Sequence, residues 1–160
     1  DLFDEKDHGA IAGEGSFMTW INNIKESASA ELLAVKTIHT EDPNVLLASL
    51  NKFLSENIGS GQWPDLLLTG ENGDIRLQHY YNTVESSMDE TVSVARFKHL
   101  SGEYCTATSF ACWLAIQIFE TGEIPALLMK KPGTSKACRR ILIYNNYRGV
   151  QHAFILVSAV

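Results

Sequence analysis

Apolar and polar positions along the chain switch between two rhythms. "EGSFMTWIN" has alternating and continuous apolar character with little helix punctuation, and "AELLAVKTIH" repeats it after the polar turn "KESAS". Both read as strands. "EDPNVLLASLNKFLSENIGSG" then shifts to a helical period: Asp42 stands at the N-cap, Pro43 at the first helical position, Leu46, Leu47, Leu50, Phe53 and Leu54 share one face, and Gly59 ends it. "WPDLLLTG" reads as a buried strand. Leu77, Tyr80, Tyr81 and Val84 fall at helical spacing, and "TVSVARF" alternates as a strand does.

The segment from Tyr104 to Thr121 is the most apolar helix, with Ala107, Phe110, Ala111, Leu114, Ala115 and Ile118 on a wide face and Gly122 at its end. "RRILIYNNY" and "HAFILVSAV" are two closing strands around the turn "RGVQ". The order is two strands, helix, strand, helix, strand, helix, two strands. It predicts a three-layer α/β unit around a mostly parallel sheet. At 160 residues, positions 1–160 make a single domain.

Composition narrows the function classes. Thirteen basic residues against 19 acidic ones give a net charge of −6, which leaves nucleic acid little to bind, since phosphate neutralisation supplies most of that affinity. "KKPGTSKACRR" is the one basic tract and reads as a solvated loop before a strand. Three cysteines, Cys105, Cys112 and Cys138, form no CxxC pair. That argues for a reducing compartment and against a zinc site or a disulfide framework. "FACWLAIQIF" is about half of the roughly 20 residues of a membrane span. The expectation is a cytoplasmic protein with no metal, no cofactor and no membrane partner. The chain starts at Asp1 rather than methionine, and a processed start and a piece of a longer protein both stay open.

Four segments in order, "DLFDEKDHGAIAGEGSFMTWIN", "PDLLLTGENGD", "KHLSGEYCTATSFACWLAIQIFETGEIPALL" and "YNNYRGVQHAFILVSAV", together resemble the carboxy-terminal half of β-ketoacyl synthases of the thiolase superfamily. The first is similar to the family's "FD...DGFVxGEGA" pattern at Phe3, Asp4, Asp7, Gly9, Gly13, Glu14 and Gly15. The resemblance implies a thiolase-like half, a five-stranded mixed sheet with helices on both faces. It also implies a partner: a ketosynthase subunit or an amino-terminal half packing on the apolar helix, with acyl carrier protein as a further partner and a dimer as the expected state.

The family's chemistry uses a cysteine thiolate, which belongs to the other half, and two histidines that donate hydrogen bonds to a developing oxyanion. At the first histidine motif this chain reads "LLLTGENGD": Gly70 and Asp74 match, and Thr69 stands where histidine is expected. At the second, "KxxxGH", Lys98 and Gly102 match and Glu103 replaces the histidine. In "NNYRGVQHA", which resembles a gating turn by the acyl tunnel, Asn145 and Tyr147 match, Arg148 takes a glycine's place, and His152 lies near the position of an asparagine.

A glutamate anion about 4 Å from an enolate is repelled by roughly 4 kcal/mol at an effective dielectric near 20. Loss of an oxyanion donor adds roughly 3 to 4 kcal/mol, and the two amount to roughly five decades of rate. The expectation is therefore a non-condensing, chain-length-factor-like pseudoenzyme of fatty-acid or polyketide biosynthesis. Two alternatives remain: a divergent condensing enzyme or acyltransferase using Glu103, Lys98 and His152, and a dimerisation scaffold without catalysis.

Other candidates have plainer readings. Lys98 and Glu103 also read as a structural ion pair around a helix start, and Cys105 and Cys112 as small packing residues on one helix face. A nucleophilic Cys105 with His99 or His152 as base is the sharper alternative. His8, His39 and His79 have no ligand-like spacing, "GENGD" reads as an ordinary turn, and Tyr80, Tyr81 and Phe97 read as core.

Overall fold

Asp42 accepts the backbone N–H of Asn44 at 2.8 Å and Pro43 fills the first turn, so helix α1 runs over Pro43–Asn57 as its sequence directs. A computed structural model describes residues 8–135 and 137–160; Phe3, Asp4 and Asp7 of the first motif lie outside the described residues. The elements are β1 (Ala30–His39), α1, β2 (Leu66–Thr69), α2 (Ile75–Ser86), β3 (Ser93–Arg96), α3 (Lys98–Ser101), α4 (Ala107–Thr121), β4 (Met129–Lys131), β5 (Arg140–Tyr147) and β6 (Gln151–Ala159).

Six strands form one sheet in the order β1-β6-β5-β2-β3-β4. Strand β2 runs parallel to β3 and β5, while β1 with β6, β5 with β6, and β3 with β4 are antiparallel. The sheet is mixed, as the resemblance implies, rather than mostly parallel as the pattern predicts, and it has six strands where the resemblance implies five. Two causes account for this. The short "RGVQ" turn folds β6 straight back on β5, which forces antiparallel pairing, and three-residue β4 is too short to show any alternation.

The first expected strand does not form. Residues 14–22 run without sheet pairing: Phe17 seats on Phe110 and Trp113, at ring distances of 4.8 and 5.9 Å, while Met18, Trp20 and Ile21 are 94%, 87% and 82% exposed. Apolar alternation reports sidedness, and here it marks an arm laid over α4 with its far side uncovered. Helix α4 itself starts at Ala107 rather than Tyr104, because Cys105 and Thr106 form the turn that leads into it.

Helices cover both sheet faces, as expected. Consecutive residues of β2 feed two cores, since strand side chains alternate in direction. Leu67 joins Leu50, Phe53, Tyr81, Val84 and Phe154 beneath α1 and α2. Leu66 and Leu68 join Phe110, Ala111, Leu114 and Ile118 beneath α4. Tyr80, Tyr81 and Phe97 are core residues, as read. On β1, Ala34 and Ile38 pack toward α1, while Val35 between them is exposed and leaves an apolar strip on the other face. Among the described residues no helix is long and apolar enough to cross a membrane, and no group of histidine, cysteine and carboxylate side chains could hold a metal ion.

Candidate functional site

The parallel strands β2, β3 and β5 send their carboxyl ends to one end of the sheet, where open α/β folds place ligands. Thr69 closes β2 in register with Arg96 and Tyr144. Gly70 and Lys98 lie just past the ends of β2 and β3, beside Asn145 of β5. A Cβ on Gly70 would come within 2.3 Å of the Asn145 Oδ1 and 3.2 Å of the Lys98 Cε, so only glycine lets the three meet. Asn145 is held in turn by donating from Nδ2 to the Thr108 hydroxyl at 2.9 Å. Thr69 alternates with Leu68 and therefore faces the α1–α2 side, away from Lys98. Its hydroxyl is buried with no partner among the described residues.

Lys98 is 1% exposed, and its Nζ donates to Glu103 Oε2 at 2.7 Å; the Glu103 side chain is 25% exposed. The Asn72 Nδ2 donates to the same oxygen at 2.7 Å. Glu103 is therefore an oriented acceptor with one oxygen engaged twice. Burial pushes the Lys98 ammonium below the ordinary lysine value, and the attraction of Glu103 only partly offsets this.

A backbone clasp fixes the height of Glu103. The Gly13 N–H donates to the Glu103 carbonyl at 3.1 Å and the Glu103 N–H to the Ile11 carbonyl at 2.8 Å. The two chains approach so closely that a Cβ on Gly102 would lie 2.6 Å from the Gly13 Cα, and one on Gly13 would lie 2.0 Å from the Ser101 carbonyl oxygen. The first and third motifs thus meet here.

His152 sits apart from this pair. It is buried on β6, its Nε2 lies 3.0 Å from the Thr40 carbonyl, and its Nδ1 lies 3.0 Å from both the Asn146 Nδ2 and the Tyr144 hydroxyl. The Asn146 amide is oriented by accepting from the Gly149 N–H through Oδ1, so Nδ2 must donate to Nδ1 and the histidine proton resides on Nε2. A second proton would meet a donor, and burial likewise lowers the His152 pKa below its ordinary 6.5. From 6.5 down to that lowered value the unfolded chain binds more protons, so stability should fall as the pH drops through this window. Urea denaturation at stepped pH should show the slope, and His152→Gln should flatten it.

A cleft of about 730 Å³ opens beside Glu103. Of the candidate residues it is lined by Asp74, Glu103, Tyr147 and Arg148. Asp74 caps α2 and pairs with Arg76, whose guanidinium holds its carboxyl below the usual range. Tyr147 also borders a second hollow of about 480 Å³, with Asn145 and His152. His8, His39 and His79 are exposed, and the His99 Nε2 lies 3.0 Å from the Leu127 carbonyl. Cys105 is exposed and Cys112 half-buried on α4.

Sequence reasoning missed the contents of the "GENGD" loop. Glu71, Asn72 and Asp74 are all buried there. Glu71 accepts from Arg96 at 2.8 Å and from Lys130 at 2.7 Å, and Lys130 also reaches Glu85 at 2.7 Å. The available signal was position: two acids and an amide directly after a fully buried strand stand where chemistry gathers, unlike an exposed turn.

No protein-family model matches the chain, and no curated protein matches it. Among solved structures it is similar to a chain from a type II polyketide synthase acyl-carrier protein in complex with its ketosynthase bound to the hexaketide, with a TM-score of 0.60 and 12% identity. The match covers 82% of this chain and 39% of that one, so this chain spans well under half the length of its structural relative. At that identity the likeness is one of fold: an α/β chain with a six-stranded mixed sheet and four helices, built like part of a ketosynthase.

Proposed function

We propose that this chain is a ketosynthase-like protein without condensing chemistry of its own, resembling the chain-length factors of fatty-acid or polyketide assembly. It would work beside an active ketosynthase subunit, or beside an amino-terminal half that completes the fold. Its role would be to shape the acyl tunnel. The observation that carries this reading is Glu103. Held by Lys98 and Asn72, it offers an acceptor where the resemblance calls for a donor to an oxyanion, and a carboxylate there opposes the charge that condensation develops. The uncovered arm at Met18, Trp20 and Ile21 and the apolar strip on β1 supply a surface for the companion.

The test is an elongation assay with malonyl and acyl thioesters of acyl carrier protein. The purified protein alone should give no β-ketoacyl product, and product should appear when a ketosynthase from the same cells is added. Unaided elongation would overturn the proposal in favour of a divergent enzyme. That second reading draws on the same cleft, whose wall carries the Glu103 carboxylate beside a buried lysine.

A further inference from the structure

The cleft beside Glu103 carries a cation that the site chemistry has not used. Arg148 lines it at the turn between β5 and β6, closed by the Val150 N–H donating to the Tyr147 carbonyl at 3.2 Å. Both central residues of this turn have positive φ, 56° at Arg148 and 74° at Gly149. Glycine suits that geometry and arginine does not; Arg148 is the single non-glycine residue with positive φ among the described residues. A side chain kept against the preference of its backbone points to work done by the side chain.

The charges around it show what that work is. Arg76, on the same cleft, is committed to Asp74, and Lys98 is buried against Glu103. Arg148 makes no ion pair among the described residues; it is exposed, and its guanidinium lies 5.2 Å over the Tyr147 ring. A guanidinium resting on an aromatic face keeps N–H donors for a second partner, which is the form in which arginine grips an oxyanion. The acidic lining, Glu41, Asp74 and Glu103, raises the selectivity: an anion gains at Arg148 alone and is repelled elsewhere, so it must sit at the mouth with the rest of the ligand reaching inward.

We propose that Arg148 is the anion-recognition residue of this cleft, taking the phosphate or carboxylate group of a small ligand whose uncharged or donor-bearing part lies toward Glu103. This goes beyond the reading of the chain as a non-condensing partner and stands or falls separately from it, because it concerns binding at the mouth and not condensation.

Calorimetric titration at fixed ionic strength with pyrophosphate and with succinate tests it. The wild-type protein should bind at least one of them saturably, pyrophosphate alone indicating a phosphate ligand and succinate alone a carboxylate one. Arg148→Gln should weaken that binding by about tenfold, the loss expected for one charge-assisted contact. Arg148→Gly should lose it equally while melting no lower than the wild type, since glycine accepts the turn, and this separates lost recognition from lost fold. Absence of saturable binding by the wild type, or retention of its affinity to within about threefold in both variants, would overturn the proposal.

Discussion

Replacing Glu103 with alanine should lower the unfolding free energy by about 3 kcal/mol, the cost of leaving one member of a buried pair without its partner. The loss falls on Lys98, which is 1% exposed and whose only ion pair among the described residues is with Glu103. The pH dependence carries a further signature. In the folded protein burial already holds Lys98 below its ordinary 10.5. Between the lowered value and 10.5 the unfolded chain binds more protons, so stability rises with pH across that window. Without Glu103 the counteracting attraction is gone, the folded pKa drops further, and the rising limb should extend toward neutral pH. Adding Lys98→Met to Glu103→Ala should recover most of the stability and abolish the limb. Guanidinium denaturation of the two variants across pH 6 to 10 checks both statements; an alanine variant as stable as the wild type would show that the pair holds nothing together.

Gly102→Ala should cost a similar amount, about 3 kcal/mol, for a different reason. With φ 72° and ψ −174° Gly102 occupies a region nearly closed to other residues, at a cost of about 1 to 3 kcal/mol. The new Cβ would also press on the Gly13 Cα at 2.6 Å. That atom, like the Gly13 N at 2.7 Å, is backbone and not the end of a flexible side chain, so the clasp should open. Amide exchange at Gly13 and Glu103 should accelerate together, before global unfolding. Gly122→Ala is the control: its φ is 73°, but nothing lies within 4 Å of the added Cβ. It should cost about 1 kcal/mol and leave those two amides protected.

The parts of the fold legible in sequence were those written locally. Asp42, Pro43 and the apolar stripe from Leu46 to Leu54 announce α1, and the five-residue step from Lys98 to Glu103 is short enough to suggest their ion pair directly. What escaped was written across distance. Asn72 reaches Glu103 over 31 positions and Lys130 reaches Glu71 over 59, and no periodicity links such pairs. The arm at residues 14–22 misled because an apolar alternating segment has the same pattern whether a neighbouring strand or a helix receives it. Strand β4 escaped because "MKK" has no hydrophobic rhythm of its own. Around the site, Lys98, Gly70 and Asn145 converge as the motif order suggests, while His152 is drawn away by Thr40 and Asn146, partners that the motif pattern did not include.

The contact between Gly13 and Gly102 also bears on how this architecture can change over generations. Each residue is already the smallest available, and each fills the space the other leaves. A harmful enlargement at one position therefore has no remedy at the other, and second-site rescue must come from displacing the whole segment. In lineages that keep the clasp the two positions should stay fixed together without varying in step. Correlated substitution would then carry no trace of one of the tightest approaches in the molecule.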